Sequence, residues 1–464
     1  MNDDFVKIAA RIWHEAAGPE GHLDALAFSG PQQVLPSWFD VTGLAAGSVA
    51  AATLAAAEFH AARTGTSIRG VRVDSREACA AFAAEGLFTP VGWELPPVWD
   101  PIAGNYQAQD GWIRLHTNYA YHRAAVERVL GAGDKESVAA AAADWKGADL
   151  EAAVVAAGGC AAVMRTREEW MASPPGAATA AVSTLSAVAR AVPAGQGAAG
   201  QGAAGQAATR PYAGIRVLDL TRVIAGPVAT KFLAAYGADV LRVDPPGFEE
   251  VAAILPEVTT GKRTTALDLT TRDGRAAFES LAATADVLVS GLRADALDRL
   301  GYGDDALAAL NPALVVASLD AYGWDGPWRD RRGFDSLVQM SCGIAAAGGS
   351  APVALPVQAL DHATGYLIAA AVGRALTRRL TESVVTRIRA CLIGTANFLW
   401  SLPRPPELPP RPSPASFPIV DTVTAWGPAR RVPAPGEITG VRAEWRIEAG
   451  PLGRHSPEWL NALA

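Results

Sequence analysis

The stretch GIRVLDLTRVIAGPVATKFLAAYGADVLRVDPPG, residues 214–247, decides the fold. Ile215–Leu220 (IRVLDL) is a short aliphatic run of the kind that forms a strand buried on both faces. TRVIAGP then turns the chain, and Pro227–Ala235 reads as a helix opening behind Gly226. Ala238–Val243 (ADVLRV) is the next strand, stopped by Asp244-Pro245-Pro246-Gly247. Strand, turn, helix and strand in this order make one right-handed βαβ unit with parallel pairing.

The same rhythm continues downstream. Thr264–Leu269 is a third strand, Arg275–Ala283 a helix, Asp286–Ser290 (DVLVS) a fourth strand, Asp295–Leu300 a helix and Leu314–Leu319 a fifth strand. Upstream the pattern changes. Val41–Arg63 is one long helix, and DPIAGNYQAQDGWIRLHTN (100–118) reads as two strands around a Gln-Asp-Gly turn. Helices follow at Tyr121–Leu130, Lys135–Trp145 and Asp149–Ala156. The expected fold class is α/β, a Rossmann-like parallel sheet core plus a small α+β domain.

Between these parts, from Ser173 to Arg210, periodicity is lost, and GQGAA occurs at 195–199 and again at 200–204. Low-complexity Gly/Ala/Gln buries too little surface to offset its ordering entropy, so 173–210 is expected to be a flexible linker. The domains are then 1–172, the linker 173–210, the core 211–400, and 401–464, which opens with the extended, surface-lying PRPPELPPRPSPASFP (403–418).

Composition sets limits on function. Of 464 residues, 50% are hydrophobic and 19% charged, which excludes global disorder. A net charge of −7 without a basic stripe argues against a nucleic-acid partner. Cys79, Cys160, Cys342 and Cys391 lie far apart and form neither a zinc pattern nor a disulfide framework. The N-terminus is acidic and polar from its second residue, unlike a secretory signal, so a cytoplasmic setting is expected. The uncharged run Val41–Ala57 is rich in Ala, Gly, Ser and Thr and is followed by Glu58 and His60; it reads as a buried helix and no membrane segment is expected.

TRVIAGP lacks G-x-G-x-x-G, which argues against NAD or FAD, and Walker, H-E-x-x-H and G-x-S-x-G motifs are missing too. His116 and His122, six residues apart, fit no helical metal pair and read as surface or satisfied side chains; no metal site is expected. PVQALDHATGYLIAAAVGRALTRR (356–379) places Asp361 just before Thr364-Gly365 and a long apolar helix. The carboxylate is either an ordinary N-cap or a catalytic group, and helix N-terminal amides there would favour its ionised form.

With these blocks go GKRTTALDL, ADVLVSGLRADALDRLGY, NPALVVASLDAYGWDGPW and GFDSLVQMSCGIAAAGG, all collinear. Residues 214–379 thereby resemble the family III CoA-transferases, the CaiB/BaiF family. The resemblance implies a thioester-exchanging enzyme with Asp361 as its nucleophile, acylated to a mixed anhydride and then converted to an aspartyl-CoA thioester. It implies no tightly bound cofactor, with coenzyme A or acyl-CoA as substrate and a carboxylic acid as acceptor. The thiol arm would run past Val223, Ile224 and Ala225, the adenine past Leu267, and the nucleotide end near Arg299. Asp335 and Gln339 match the acid and glutamine of the family's Y-D-x-x-x-Q block, with Phe334 in place of tyrosine. Pro245 replaces a basic residue, and Gly291-Leu292 an Asn-Phe or Arg-Pro pair. Two alternatives stay open: an α-methylacyl-CoA racemase-like enzyme, which would need a histidine where Phe334 stands (His362 is the nearest substitute), and a non-catalytic CoA-binding protein.

The arrangement departs from the family. Small-domain resemblance comes first here, in RTGTSIRGVRVDSREACAAFAAEGL (63–87), the 100–118 hairpin and AAVMRTREEWMASP (161–174). FDVTGLAAGSV (39–49) resembles LDHATGYLIAA (360–370), and matching their Thr-Gly pairs puts Phe39, not Asp40, opposite Asp361. Residues 1–172 thus read as a second, incomplete copy without a nucleophile, the two copies forming one functional unit as a homodimer or an intrachain pseudo-dimer. Neither half shows the family's glycine-rich flap.

Overall fold

Alternation of side chains along the strands is what places the cores on the two faces of the central sheet. In the computed structural model, which describes residues 3–192 and 209–460, seven strands form the central sheet. Their spatial order is Arg263–Ala266, Asp239–Asp244, Arg216–Leu220, Val287–Ser290, Val315–Asp320, Val384–Cys391 and Leu185–Ala191. The first six run parallel and the last is antiparallel. Val217, Val240, Val287, Val289 and Val315 face a core shared with the helices Val41–Thr64, Ala225–Ala235 and Ala359–Glu382. Their neighbours Leu218, Leu241, Leu288 and Val316 face the other way, against Phe278, Leu281 and Leu307. A period of two buries both faces, as a parallel sheet requires.

The direction of winding reverses between Arg216–Leu220 and Val287–Ser290, so a crevice opens beyond the carboxyl ends of those strands. TRVIAGP leaves the first and Gly291-Leu292-Arg293 leaves the second, and both border that crevice.

The expected linker is shorter than its composition implies. Pro174–Thr179 is helical, and Leu185–Ala191 is the antiparallel sheet edge, in register with Val384–Cys391. Only Leu185 of that strand is buried; the other six residues are exposed, so backbone pairing forms the strand and no hydrophobic pattern announces it. Residues 193–208, with both GQGAA units, lie outside the described residues.

The small α+β module is as expected: the hairpin Gly104–Ala108 and Gly111–Leu115 joined by Ala161–Val163, with helices Ala120–Leu130, Lys135–Ala143 and Gly147–Ala156. The tail is woven into the amino-terminal half. Glu437–Ile438 pairs with Val71–Asp74, and the hairpin Val420–Thr424 and Gly427–Arg431 pairs with Thr89–Pro90.

The two long helices hold the halves together. Val41–Thr64 is long and apolar enough to cross a bilayer, but its most apolar 18-residue window is 100% buried inside the protein. It lies along Ala359–Glu382 closely enough that a Cβ on Gly373 would stand 2.8 Å from that of Ala55. Arg374 pairs with Glu58 and donates to the carbonyl of Ala17 (2.7 Å), and Phe59 stacks on Tyr212 at 5.6 Å.

Candidate active site

The TRVIAGP loop is pinned from below. Asp219, fully buried at the end of its strand, accepts from Thr221 N (2.9 Å), Thr230 Oγ1 (2.6 Å) and Lys262 Nζ (2.9 Å). Burial pushes Asp219 up, but Lys262 and Arg242 together with these hydrogen bonds hold its pKa below the usual value. Burial also lowers Lys262, to about 8. Four residues beyond Asp219, Val223 has φ 61°, a left-handed conformation costly for a β-branched residue. Glu250 secures it: Oε2 accepts from Val223 N (3.0 Å) and Arg242 Nη2 (3.0 Å), while Oε1 accepts from the Tyr119 hydroxyl (2.7 Å). Tyr119 belongs to the amino-terminal half, so both halves fix this loop.

Asp361 is the third residue of Ala359–Glu382. The orphan amides of Leu360 (2.8 Å) and Asp361 (3.0 Å) donate to Asp335 Oδ2. Asp335 Oδ1 accepts from Gln339 Nε2, whose own carbonyl accepts from Leu355 N (2.8 Å). Asp335 therefore does the capping, and the Asp361 carboxylate has no hydrogen-bond partner among the described residues. This reverses the expectation that helix amides keep Asp361 ionised. Burial, then Asp335 and Glu85, push its pKa well above the ordinary aspartate value. Burial also raises Asp335, to about 6, against its hydrogen bonds.

Two cavities meet at Asp361. One is a cleft of about 360 Å³ between Val223–Ala225, Gly291–Arg293, Arg331–Phe334 and the Tyr119–His122 segment. Arg222, Arg293, Arg331 and Arg332 make it cationic. Arg222 lies 3.8 Å over Phe248, and Arg331 lies 3.7 Å over Trp328 while pairing with Glu151 at 3.0 Å, so their planes are held. Asp320, also lining the cleft, is raised by burial to about 7. The other cavity is a pocket of about 490 Å³ walled mainly by apolar side chains, including Phe82, Trp99 and Phe334.

Val223, Ile224, Ala225 and Asp361 are thus brought together at the cavities. Asp335 borders the pocket and positions Asp361, and Gln339, 2% exposed, stands behind it. Leu267 and Arg299 line neither cavity. Leu267 belongs to the second core, where its amide donates to Asp244 O (2.9 Å). Arg299 is exposed and pairs with Asp295 one turn back at 2.5 Å.

Other site residues went unforeseen. Glu85 from the amino-terminal half meets His362 Nε2 at 3.0 Å, and His362 stacks on Phe82 (5.3 Å). Burial raises Glu85, but His362 outweighs it and its pKa lies below normal. His116 and His122 are buried cavity residues rather than surface ones. His116 stacks on Phe334 at 3.8 Å, and burial lowers its pKa well below the usual value. His122 approaches Cys160 Sγ (3.4 Å) and is lowered by burial to about 4. The available signal was the density of rings in HTNYAYH (116–122) and of arginines in RDRR (329–332).

Part of the chain is similar to known proteins. Residues 212–401 match the family model described as CoA-transferase family III. Over 229 residues the chain is 33% identical to a protein named "Probable fatty acyl-CoA transferase" from Mycobacterium tuberculosis, covering 44% of this chain and 58% of that protein. It is 34% identical over 204 residues to the succinate–glutarate CoA-transferase of Agrobacterium fabrum, covering 39% and 51% respectively. A crystal structure of a CaiB/BaiF family protein from Brucella suis is 26% identical, with 47% of this chain and 65% of that chain covered and a TM-score of 0.37. The chain spans about half the length of the curated relatives it matches.

Proposed function

We propose that this chain, family III CoA-transferase in type over 212–401, moves CoA between an acyl-CoA and a free carboxylic acid through covalent intermediates on Asp361. One observation carries the proposal: a carboxylate with no hydrogen-bond partner among the described residues stands where a cationic cleft meets an apolar pocket. The cleft's arginines suit the phosphates of CoA, and Val223–Ala225 suits the thiol arm, which delivers the thioester to Asp361. An Asp361 oxygen attacks the thioester carbonyl; the C–S bond breaks and leaves an acyl-aspartyl anhydride with CoA thiolate. The thiolate attacks the aspartyl carbonyl and expels the acyl group as its carboxylate, leaving aspartyl-CoA. The acceptor carboxylate then repeats the two exchanges in reverse and departs as acyl-CoA, restoring Asp361. Asp335, by taking the helix amides, keeps the Asp361 oxygens free for each step.

The test is a mass measurement. Wild type incubated with acyl-CoA gains a CoA mass on the Asp361 peptide, which hydroxylamine converts to a hydroxamate. Asp361→Asn stays folded, gains neither mass and loses about 10³-fold or more in rate. An active Asp361→Asn protein overturns the proposal.

A second reading, α-proton exchange, is favoured by His116, which lies face to face with Phe334 where a histidine was missing. Burial makes His116 a weak base, so slow α-deuterium uptake from deuterated water is expected relative to transfer. Faster deuterium uptake than transfer would select this second reading.

A further inference from the structure

We infer that the acyl group handled at Asp361, on both donor and acceptor, is uncharged and apolar, and that the pocket on the amino-terminal side of Asp361 selects it. The inference rests on the CoA-transfer reading and assigns that site's substrate class. The pocket's wall is hydrocarbon and aromatic: Phe82 and Leu87 from one half, Phe334 and Val357 from the other, with Ile254 between them. Its edge exposes Val98 (42%) and Trp99 (40%), apolar surface that an entering chain would cover.

Charge is distributed to the same effect. The four arginines that line the two cavities all belong to the cleft; among the described residues no lysine or arginine lines the pocket. The pocket's ionisable groups are instead acidic, Glu85, Asp335 and Asp361, together with His116, which burial keeps neutral. A second carboxylate on the acyl chain would therefore be buried without a cation and next to Glu85, which His362 keeps in its charged form. Such burial is strongly unfavourable. An alkyl or aryl chain loses nothing there and gains the transfer of its surface from water. The reacting carboxylate of an acceptor escapes this penalty, because it sits at Asp361 and only its tail enters the pocket.

The experiment compares binding of CoA, octanoyl-CoA, phenylacetyl-CoA and succinyl-CoA to the full chain by titration calorimetry, with transfer to acetate followed in parallel. Octanoyl- and phenylacetyl-CoA are expected to bind about tenfold or more tighter than CoA, and succinyl-CoA no tighter than CoA. Val357→Arg, which adds a cation to the wall, is expected to reverse the order in favour of succinyl-CoA. Succinyl-CoA binding as tightly as octanoyl-CoA to the wild type overturns the inference, whether or not the variant folds. Apolar preference in binding with no CoA mass on Asp361 from any donor sustains the pocket's selectivity and rejects the transfer chemistry, so the two failures are distinct.

Discussion

The two long helices are near twins that use the same residue type for different ends. Val41–Thr64 and Ala359–Glu382 are both 24 residues long, both end in a left-handed residue (Gly65, φ 67°; Ser383, φ 56°), and both have a Thr-Gly pair in their early turns. Both have an aspartate near the start. Asp40 precedes the first helix and caps it with its own side chain, accepting from Gly43 N at 2.7 Å. Asp361 lies inside the second, whose amides are capped by Asp335 from a separate helix, Asp335–Ser341. The glycines differ in parallel. A Cβ on Gly43 would meet Asp40 and Ile8, whereas one on Gly365 would meet the Ala225 carbonyl (2.5 Å) and Val228. The first helix start is closed on itself and the second is closed on the TRVIAGP loop. An aspartate becomes available for chemistry when another residue takes over its structural duty.

The most damaging way to break this contrast is to remove the substitute cap. Asp335→Asn retains one acceptor oxygen but changes the charge and the Gln339 contact, so Asp361 loses its fixed position. We expect kcat to fall about 10²-fold with KM for acyl-CoA changed little, because the cleft contacts remain. Asp40→Ala, the matching change on the other helix, is expected to cost about 1 kcal/mol of stability at pH 4, where Asp40 carries no charge, and to leave kcat within twofold. Equal losses of activity in the two variants, compared by steady-state kinetics and thermal melts, would show that the helix starts are not functionally distinct.

This contrast was half legible in the sequence. Matching the Thr-Gly pairs put Asp40 out of step with Asp361, but nothing local said that Asp335, 26 residues upstream, supplies the cap. The strands of 214–320 were readable because both sheet faces are apolar. Leu185–Ala191 was not, because all of its side chains but Leu185 are exposed. Val384–Cys391 went unread although it lies inside the sheet, since Arg387 and Arg389 interrupt its apolar run. Glu85, His116 and Tyr119 reach the site from the amino-terminal half by contacts distant in sequence, such as Glu85 with His362, Tyr119 with Glu250 and His116 with Phe334. For Leu267 and Arg299 the resemblance offers only a position in a motif, and both lie outside the two cavities.

A subtler change sharpens the comparison by acting on charge without disturbing the caps. Glu85→Gln keeps a hydrogen-bonding atom for His362 and removes one of the two carboxylates that raise Asp361. The nucleophile must be ionised, so activity falls as pH drops through the Asp361 pKa. Removing a neighbouring negative charge lowers that pKa, and the acid limb of the kcat profile is expected to move to lower pH with the plateau above it preserved. An unmoved limb with a lowered plateau would assign Glu85 to substrate binding instead.

The smallest effect lies on the first helix. Burial raises Asp40 to about 6 despite the Gly43 hydrogen bond. A folded pKa above the unfolded value means that the native state binds the extra proton between about pH 4 and 6. Asp40 therefore costs nothing below pH 4, and its penalty grows through that window and is complete above it. Asparagine caps as well as aspartate and has no charge to bury. Asp40→Asn is thus expected to match the wild type at pH 4 and to exceed it by about 1 kcal/mol at pH 7, after allowing for the helix dipole's partial support of the ionised cap. Denaturant melts at the two pH values measure the difference. A variant less stable than the wild type at pH 7 would mean that the ionised carboxylate is a net asset at this cap, and that Asp40 and Asp361 differ in electrostatics as well as in who satisfies the amides.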